Sequence, residues 1–144
     1  MRRTVWLPLL MTALSLVGIA SLYVPMVDFC GRFASRVFRM SGTTGPASVV
    51  LLLLLALGVT SLVMTFWRTR HSLVAVGGLG VVASLALLAM AWLAVEIGDP
   101  NIDGIWNCWN ASPTPWIMLP IITASALLAL SVIMLVTSGK STVR

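Results

Sequence analysis

The sequence has very little charge, since only 9% of its 144 residues are Asp, Glu, Lys or Arg, while 59% are apolar. A soluble domain carries about a quarter charged residues. Together with a mean hydropathy of +1.03, this composition argues against a soluble enzyme, a disordered chain and a nucleic-acid-binding domain. Two cysteines and one histidine are too few for the common structural zinc and iron–sulfur sites. The composition therefore predicts an integral membrane protein.

Long apolar runs make up most of the chain. A helix needs about 20 apolar residues to cross a hydrocarbon core of about 30 Å. The runs that reach this length are residues 5–27, 47–67, 72–95 and 116–137. They are continuous rather than alternating, which excludes membrane-spanning strands. Because residues 68–71 form a short connection, we predict a single domain over residues 1–144, an all-α membrane protein with four transmembrane helices in an antiparallel bundle.

The placement of lysine and arginine predicts the orientation of this bundle, because these residues are enriched in cytoplasmic loops. The side with both termini and the short connection carries six of them, namely Arg2, Arg3, Arg68, Arg70, Lys140 and Arg144. The other side carries three arginines and all four acids. We therefore expect cytoplasmic termini in a plasma membrane or a bacterial inner membrane. An alternative is a signal peptide cut after Ala20, but the apolar run continues past that point.

Small residues in the third and fourth spans predict where helices pack, because membrane helices associate through close backbone approach. Gly80 and Ser84 form one pair of small residues four apart, and Ser125 and Ala129 form another. We expect packing between helices of this chain rather than a homodimer face, although a homo-oligomer stays open.

The first outer loop, residues 28–46, predicts an amphipathic helix in the outer interface. At 100° per residue Arg32, Arg36 and Arg39 fall on one helical face. Asp28 precedes Arg32 by four residues and falls on the same face. The arginines would anchor the helix among lipid headgroups, or they would dock an acidic partner.

The second outer loop, residues 96–115, carries Cys108, Trp106 and Trp109. Cys30 lies in the first outer loop, on the same oxidising side of the membrane, where disulfides persist. A Cys30–Cys108 bridge is the simplest pairing and ties the two loops together. The tryptophans either cover the end of the bundle or bind a partner, since tryptophan is common among interface hot spots.

The same loop contains Asp99, Asn101 and Asp103, followed by a glycine. This order matches the opening of an EF-hand calcium loop. Asn110 stands at position twelve, where the bidentate glutamate of that motif belongs. Calcium is therefore a weak hypothesis, and we otherwise expect no cofactor.

The four spans contain no Asp, Glu, Lys, Arg or His, whereas proton relays and ion-coupled transport depend on such residues. No nucleophile and base can be assembled on either face, so we do not expect an enzyme. We predict a structural or interaction protein, an accessory, assembly or inhibitory (immunity-like) subunit whose partners are the lipid bilayer and another membrane protein or complex. The alternatives are an oligomeric channel or transporter for an uncharged or lipid-like solute and, third, an interfacial enzyme on the outer face.

Overall fold

The computed structural model describes residues 6–23, 27–30, 46–67, 69–97, 110–113 and 115–140. Its α-helices are α1 (Trp6–Ser21), α2 (Pro46–Phe66), α3 (Arg70–Ile97) and α4 (Met118–Lys140). A single 3₁₀ turn, Pro115–Ile117, precedes α4, and two short strands are β1 (Val27–Cys30) and β2 (Asn110–Pro113). Three segments are long and apolar enough to cross a membrane, namely Ser48–Phe66, His71–Leu93 and Pro115–Gly139. The prediction of a helical membrane protein is confirmed as far as the length and apolar composition of these three segments show it.

The first helix is shorter than the predicted span 5–27, because α1 ends at Ser21 after 16 residues. It is about 24 Å long at 1.5 Å per residue. The backbone N–H groups of Leu22 and Tyr23 donate to carbonyls three residues earlier, at 3.1 Å each, which tightens and closes the last turn. Pro25 has no N–H with which to continue a helix. Apolar composition alone thus overestimated the helical part of this segment.

The helices form a ring in which each packs against the next and α1 closes onto α4, with the most extensive packing between α3 and α4. Neighbours are antiparallel. The Leu54 carbonyl of α2 accepts a hydrogen bond from Ser15 of α1. Ser61, which follows Leu54 along α2, is hydrogen-bonded to Thr12, which precedes Ser15 along α1. The bundle is therefore an up-and-down arrangement that follows the chain order.

Buried positions in all four helices recur at alternating spacings of three and four residues. These are the spacings of the a and d positions in left-handed helix packing. The runs are Met11, Ser15 and Gly18 in α1; Leu54, Leu57, Ser61 and Met64 in α2; Gly80, Ala83, Leu87 and Met90 in α3; and Leu127, Ser131, Met134 and Ser138 in α4. Small and hydroxyl side chains within these runs allow close helix packing.

The outer surface of the bundle carries large apolar side chains, among them Leu52 and Val59 of α2. Exposed tryptophans lie near the helix ends. Trp6 and Trp67 lie at the end where α1 begins and α2 finishes, and Trp116 lies at the opposite end. This distribution matches the aromatic belts of membrane proteins, which sit at the two interfaces.

The connection between α2 and α3 has only three residues, 67–69. The N–H of Ser72 donates to the Thr69 hydroxyl at 3.2 Å, and the N–H of Thr69 donates back to the Ser72 hydroxyl at 3.1 Å. This reciprocal pair satisfies the free donors at the start of α3 in the manner of a capping box. Because the connection is so short, the chain reverses its direction and α2 and α3 are antiparallel, as the sequence predicts.

A two-stranded antiparallel ribbon packs against α3, at the end of the bundle where α1 finishes and α4 begins. Val27 of β1 is paired with Pro113 of β2, and Cys30 is paired with Asn110. The ribbon corrects the prediction of an amphipathic helix beginning at Asp28, because Asp28 to Cys30 are extended. Residues 31–45 lie outside the described residues. At Asp28 to Cys30, pairing with a strand some eighty residues away takes the place of helical hydrogen bonds, and no short sequence window contains that information.

Candidate interaction sites

A cluster of hydroxyl side chains lies at the interface between α1 and α2. The hydroxyl oxygens of Thr12 and Ser61 are 2.7 Å apart. Ser15 is fully buried and donates to the carbonyl oxygen of Leu54 at 3.0 Å. A Cβ atom added at Gly58 would lie 3.4 Å from the Ser15 hydroxyl oxygen, so the glycine lets the two helices approach there. These hydrogen bonds join α1 to α2 at two successive levels of the bundle.

The other interior hydroxyls bond within their own helices. Ser84 donates to the carbonyl of Val81 at 2.9 Å, and Ser131 donates to that of Leu127 at 2.6 Å. Throughout the part of the chain that the structure describes, every buried side-chain nitrogen and oxygen has a hydrogen-bond partner. Bonding of this kind lets a hydroxyl occupy an apolar interior at low cost. The polar side chains of the described interior are thus hydrogen-bonded to the protein itself.

The bond between Thr12 and Ser61 is expected to contribute measurably to stability. Replacing Thr12 with valine and Ser61 with alanine, singly and together, should give a coupling free energy of about 0.6–1.7 kcal/mol, the range for hydrogen bonds between membrane helices. The measurement is the free energy of unfolding of each variant in mild detergent.

Thr60→Val is the matched control for that cycle. Thr60 is exposed on α2 and donates to carbonyls of its own helix, so we expect no coupling between Thr60→Val and Thr12→Val. Equal coupling for the Thr60 and Ser61 variants would contradict an interhelical bond at Thr12.

The predicted packing residues of the third span are buried in the bundle. Gly80 lies between α4 and α1, since a Cβ atom added there would meet the Ser131 hydroxyl and lie 2.8 Å from Cε of Met11. Ser84 is also fully buried. Gly80 and Ser84 therefore contribute to helix packing inside this chain.

The second predicted pair lies elsewhere. Ser125 and Ala129 are both exposed on α4, where a lipid or another chain would meet them. Ala129 borders an apolar groove of about 460 Å³ between α1 and α4, which is lined by Leu10, Ala13, Leu14, Val17, Ala126, Ala129 and Leu130. The sequence does not predict this groove. Its only local signal is the alanines, which lie among larger apolar residues.

The ribbon brings the two outer loops together at one point. Cys30, the last residue of β1, pairs with Asn110, the first residue of β2. Along the sequence, Arg32 follows Cys30 by two residues, and Trp109 directly precedes Asn110. The arginine-bearing and tryptophan-bearing segments therefore adjoin the same end of the ribbon. The sequence predicts that the two loops are tied together, but through a disulfide rather than through a β-ribbon.

Most of the predicted outer-face residues lie outside the described residues. They are Arg32, Arg36, Arg39, Trp106, Cys108, Trp109, Asp99, Asn101 and Asp103. Within the described ranges, no group of His, Cys, Asp or Glu is arranged to hold a metal ion. The calcium hypothesis and the Cys30–Cys108 bridge thus remain predictions.

Comparison with protein-family models, curated proteins and solved structures finds no match to this chain. The class follows from the fold itself. The chain is an α-helical membrane-type protein, in which a ring of antiparallel helices carries a two-stranded ribbon at one end.

Proposed function

We propose that this protein is a small integral membrane subunit that binds another membrane protein and assembles, stabilises or inhibits a complex. The pairing of Cys30 with Asn110 is the observation that carries the proposal. It joins two loops, residues 31–45 and 98–109, at one end of a ribbon attached to the bundle. We call these loops and the ribbon the outer cap.

The composition of the outer cap fits a recognition surface. It contains Arg32, Arg36 and Arg39 from one loop and Trp106 and Trp109 from the other. Arginine and tryptophan are the residue types most enriched at energetically important interface positions. A ribbon that supports both loops reduces the entropy that they lose on binding, which favours affinity. We place this cap on the extracytoplasmic side, because the opposite end carries more lysine and arginine.

The bundle interior supports a binding role over a channel that runs through a single chain. Its hydroxyl groups bond to backbone carbonyls or to one another, as Thr12 and Ser61 do. Groups that are bonded in this way are not directed toward a solute. In this proposal the surfaces that meet other molecules are on the outside of the bundle.

A disulfide between Cys30 and Cys108 is part of the proposed cap. Cα atoms paired across an antiparallel ladder lie about 4.5–5.5 Å apart, and two further residues span at most about 7 Å. Cys108 precedes Asn110 by two residues, so the connecting chain is short enough to hold its Cα atom near that of Cys30. The separation of about 4.4–6.8 Å that a disulfide requires is within this reach.

The test is purification of the tagged full-length protein in mild detergent, followed by identification of the proteins that copurify. We expect a stoichiometric membrane-protein partner. Replacing both Trp106 and Trp109 with alanine should release it, because each hot-spot truncation weakens binding by roughly 30-fold. Trp67→Ala is the matched control, since this exposed tryptophan lies at the opposite end of the bundle.

Two results would contradict the proposal. One is a chain that purifies alone or only with copies of itself, which would direct attention to solute flux in liposomes. The other is equal loss of the partner in the Trp67 variant and the double variant.

A further inference from the structure

We propose that the bilayer is thinned where it meets α1, so that this side of the bundle selects phospholipids with short acyl chains. In this proposal α1 crosses the membrane beside α2. The inference rests on the length of α1, on the level at which it ends beside its neighbours, and on the aromatic residues at its two ends. It is independent of the partner proposed for the outer cap and applies to either orientation of the chain.

Exposed aromatic residues mark the two ends of α1. Trp6 begins the helix and is 69% exposed, and Tyr23 follows its last turn and is 51% exposed. Tryptophan and tyrosine favour the membrane interfaces. The helix from Trp6 to Ser21 and the closing turn to Tyr23 together cover at most about 26 Å. An average hydrocarbon core is about 30 Å thick, so α1 is too short for it.

The shortfall lies at the end of the bundle that carries the ribbon. The position of Gly18 contacts Leu54 of α2 and Leu87 of α3, so these residues lie in one layer. From this layer toward the ribbon, α1 continues for three residues, α2 for eight and α3 for ten. At a helical rise of 1.5 Å per residue, α1 therefore ends about 7.5 Å before α2 and about 10.5 Å before α3.

A second layer of the bundle gives the same result. Met11 and Ser131 both contact the position of Gly80. From this layer toward the ribbon, α1 continues for ten residues, α3 for seventeen and α4 for thirteen. By the same helical rise α1 again ends about 10.5 Å before α3, and it ends about 4.5 Å before α4. Lipid that contacts α1 therefore lies beside the shortest helix of the bundle.

The hydrogen bonds of α1 prevent it from adapting to a thicker bilayer. The N–H groups of Leu22 and Tyr23 donate to carbonyls three residues earlier, which closes the helix. The hydroxyls of Thr12 and Ser15 are hydrogen-bonded to α2, which holds α1 at its level. Tilting would shorten the projection of α1 across the membrane further. The lipid therefore adjusts to the helix.

Lipid contacts this side of the bundle directly, because Leu9, Leu16 and Val17 are exposed on α1. Backbone outside a helix or a closed barrel does not face lipid within the hydrocarbon region, and the chain is already extended at Val27. The hydrocarbon beside α1 therefore ends near Tyr23. Deformation of a bilayer costs energy for each ångström of mismatch, so lipids with shorter chains are favoured there.

The fourth helix provides an internal comparison. Trp116 and Val136 are exposed near the two ends of the α4 span and are twenty residues apart. This separation corresponds to about 30 Å along a helix, which matches an average hydrocarbon core. The mismatch is therefore larger at α1 than at α4.

The test identifies the lipid that contacts each side of the bundle. The photoreactive residue p-benzoylphenylalanine replaces Leu16 of α1 or, as the matched control, Ser125, an exposed residue near the middle of α4. The full-length protein is irradiated in vesicles of equal parts dimyristoleoyl and dioleoyl phosphatidylcholine, and the crosslinked lipid is identified by mass spectrometry. We expect the short-chain lipid to be enriched by about twofold or more at Leu16 and not at Ser125.

A second pair of variants changes the length of α1. Insertion of Leu-Ala-Leu-Ala after Ala20 adds about 6 Å of apolar helix and should abolish the enrichment at Leu16. Insertion of Gly-Ser-Gly-Ser at the same point is the matched control, because it adds as many residues without an apolar helix, and it should preserve the enrichment. The comparison of Leu16 with Ser125 does not depend on the folding of the insertion variants.

Any of three results would overturn the inference. The first is an equal ratio of the two lipids at Leu16 and at Ser125. The second is an equal effect of the two insertions. The third is crosslinking of the residue at position 16 to a second protein chain instead of lipid, which would show that α1 adapts through oligomerisation.

Discussion

Replacing Gly80 with alanine is expected to destabilise the bundle by about 1–3 kcal/mol, the cost of overpacking a filled core. The added Cβ atom would meet the Ser131 hydroxyl, lie 2.8 Å from Cε of Met11 and lie 3.2 Å from Cβ of Ser131. The methionine end can bend away, but Ser131 also donates to Leu127 at 2.6 Å. Relief of the clash therefore requires either loss of that hydrogen bond or separation of α3 from α4.

Gly78→Ala is the control, because a Cβ atom added there meets nothing within 4 Å. This variant should gain up to about 1 kcal/mol from helix propensity. Combining Gly80→Ala with Ser131→Gly should restore much of the lost stability, since the second change removes both Ser131 atoms that clash. The free energy of unfolding is measured by titration with SDS, followed by tryptophan fluorescence. Equal behaviour of the Gly78 and Gly80 variants would contradict the close approach of α3 and α4.

Replacing Cys30 with serine is expected to lower the free energy of unfolding by as much as about 4 kcal/mol, if the proposed bridge to Cys108 forms. Such a bridge would close a loop of nearly eighty residues, counted from the positions of the two cysteines, so its removal would raise the conformational entropy of the unfolded chain. The outer cap should loosen at the same time, because the bridge is adjacent to the pair Cys30 and Asn110. The measurements are unfolding under non-reducing conditions and the count of free thiols by mass spectrometry.

The double variant Cys30→Ser with Cys108→Ser provides the control. If the two sulfur atoms form one bond, each single variant and the double variant lose the same stability, and a reductant lowers the unmodified protein to that level. Additive effects of the two substitutions, or two alkylated thiols in the unreduced protein, would show that no bridge forms.

The length of α1 shows that an apolar run does not by itself predict where a helix ends. Residues 5–27 are uncharged, yet the helix occupies only Trp6–Ser21 and the chain continues into β1. Hydropathy reports the preference of side chains for an apolar medium. It does not report whether backbone N–H and C=O groups form hydrogen bonds within a helix or between two strands. Val27 lies in a strand and is paired with Pro113.

The two pairs of small residues that the sequence predicts for helix packing also differ in where they lie in the structure. Gly80 and Ser84 form a small-residue pair in the sequence, and the structure places both in the bundle interior. Ser125 and Ala129 form an equivalent pair but are exposed. The local pattern is identical in the two cases. Which face of a helix points inward depends on all the helices around it.

The sequence by itself determined the helical membrane-type class, the short connection between α2 and α3, and the basic end of the bundle. These properties depend on composition, on run length and on charge order, all of which are local along the chain. Only the tertiary structure decided the end of α1, the pairing of Cys30 with Asn110 and the groove between α1 and α4. The ribbon and the groove depend on contacts between segments some eighty or more residues apart, and no sequence window contains the energy of such contacts.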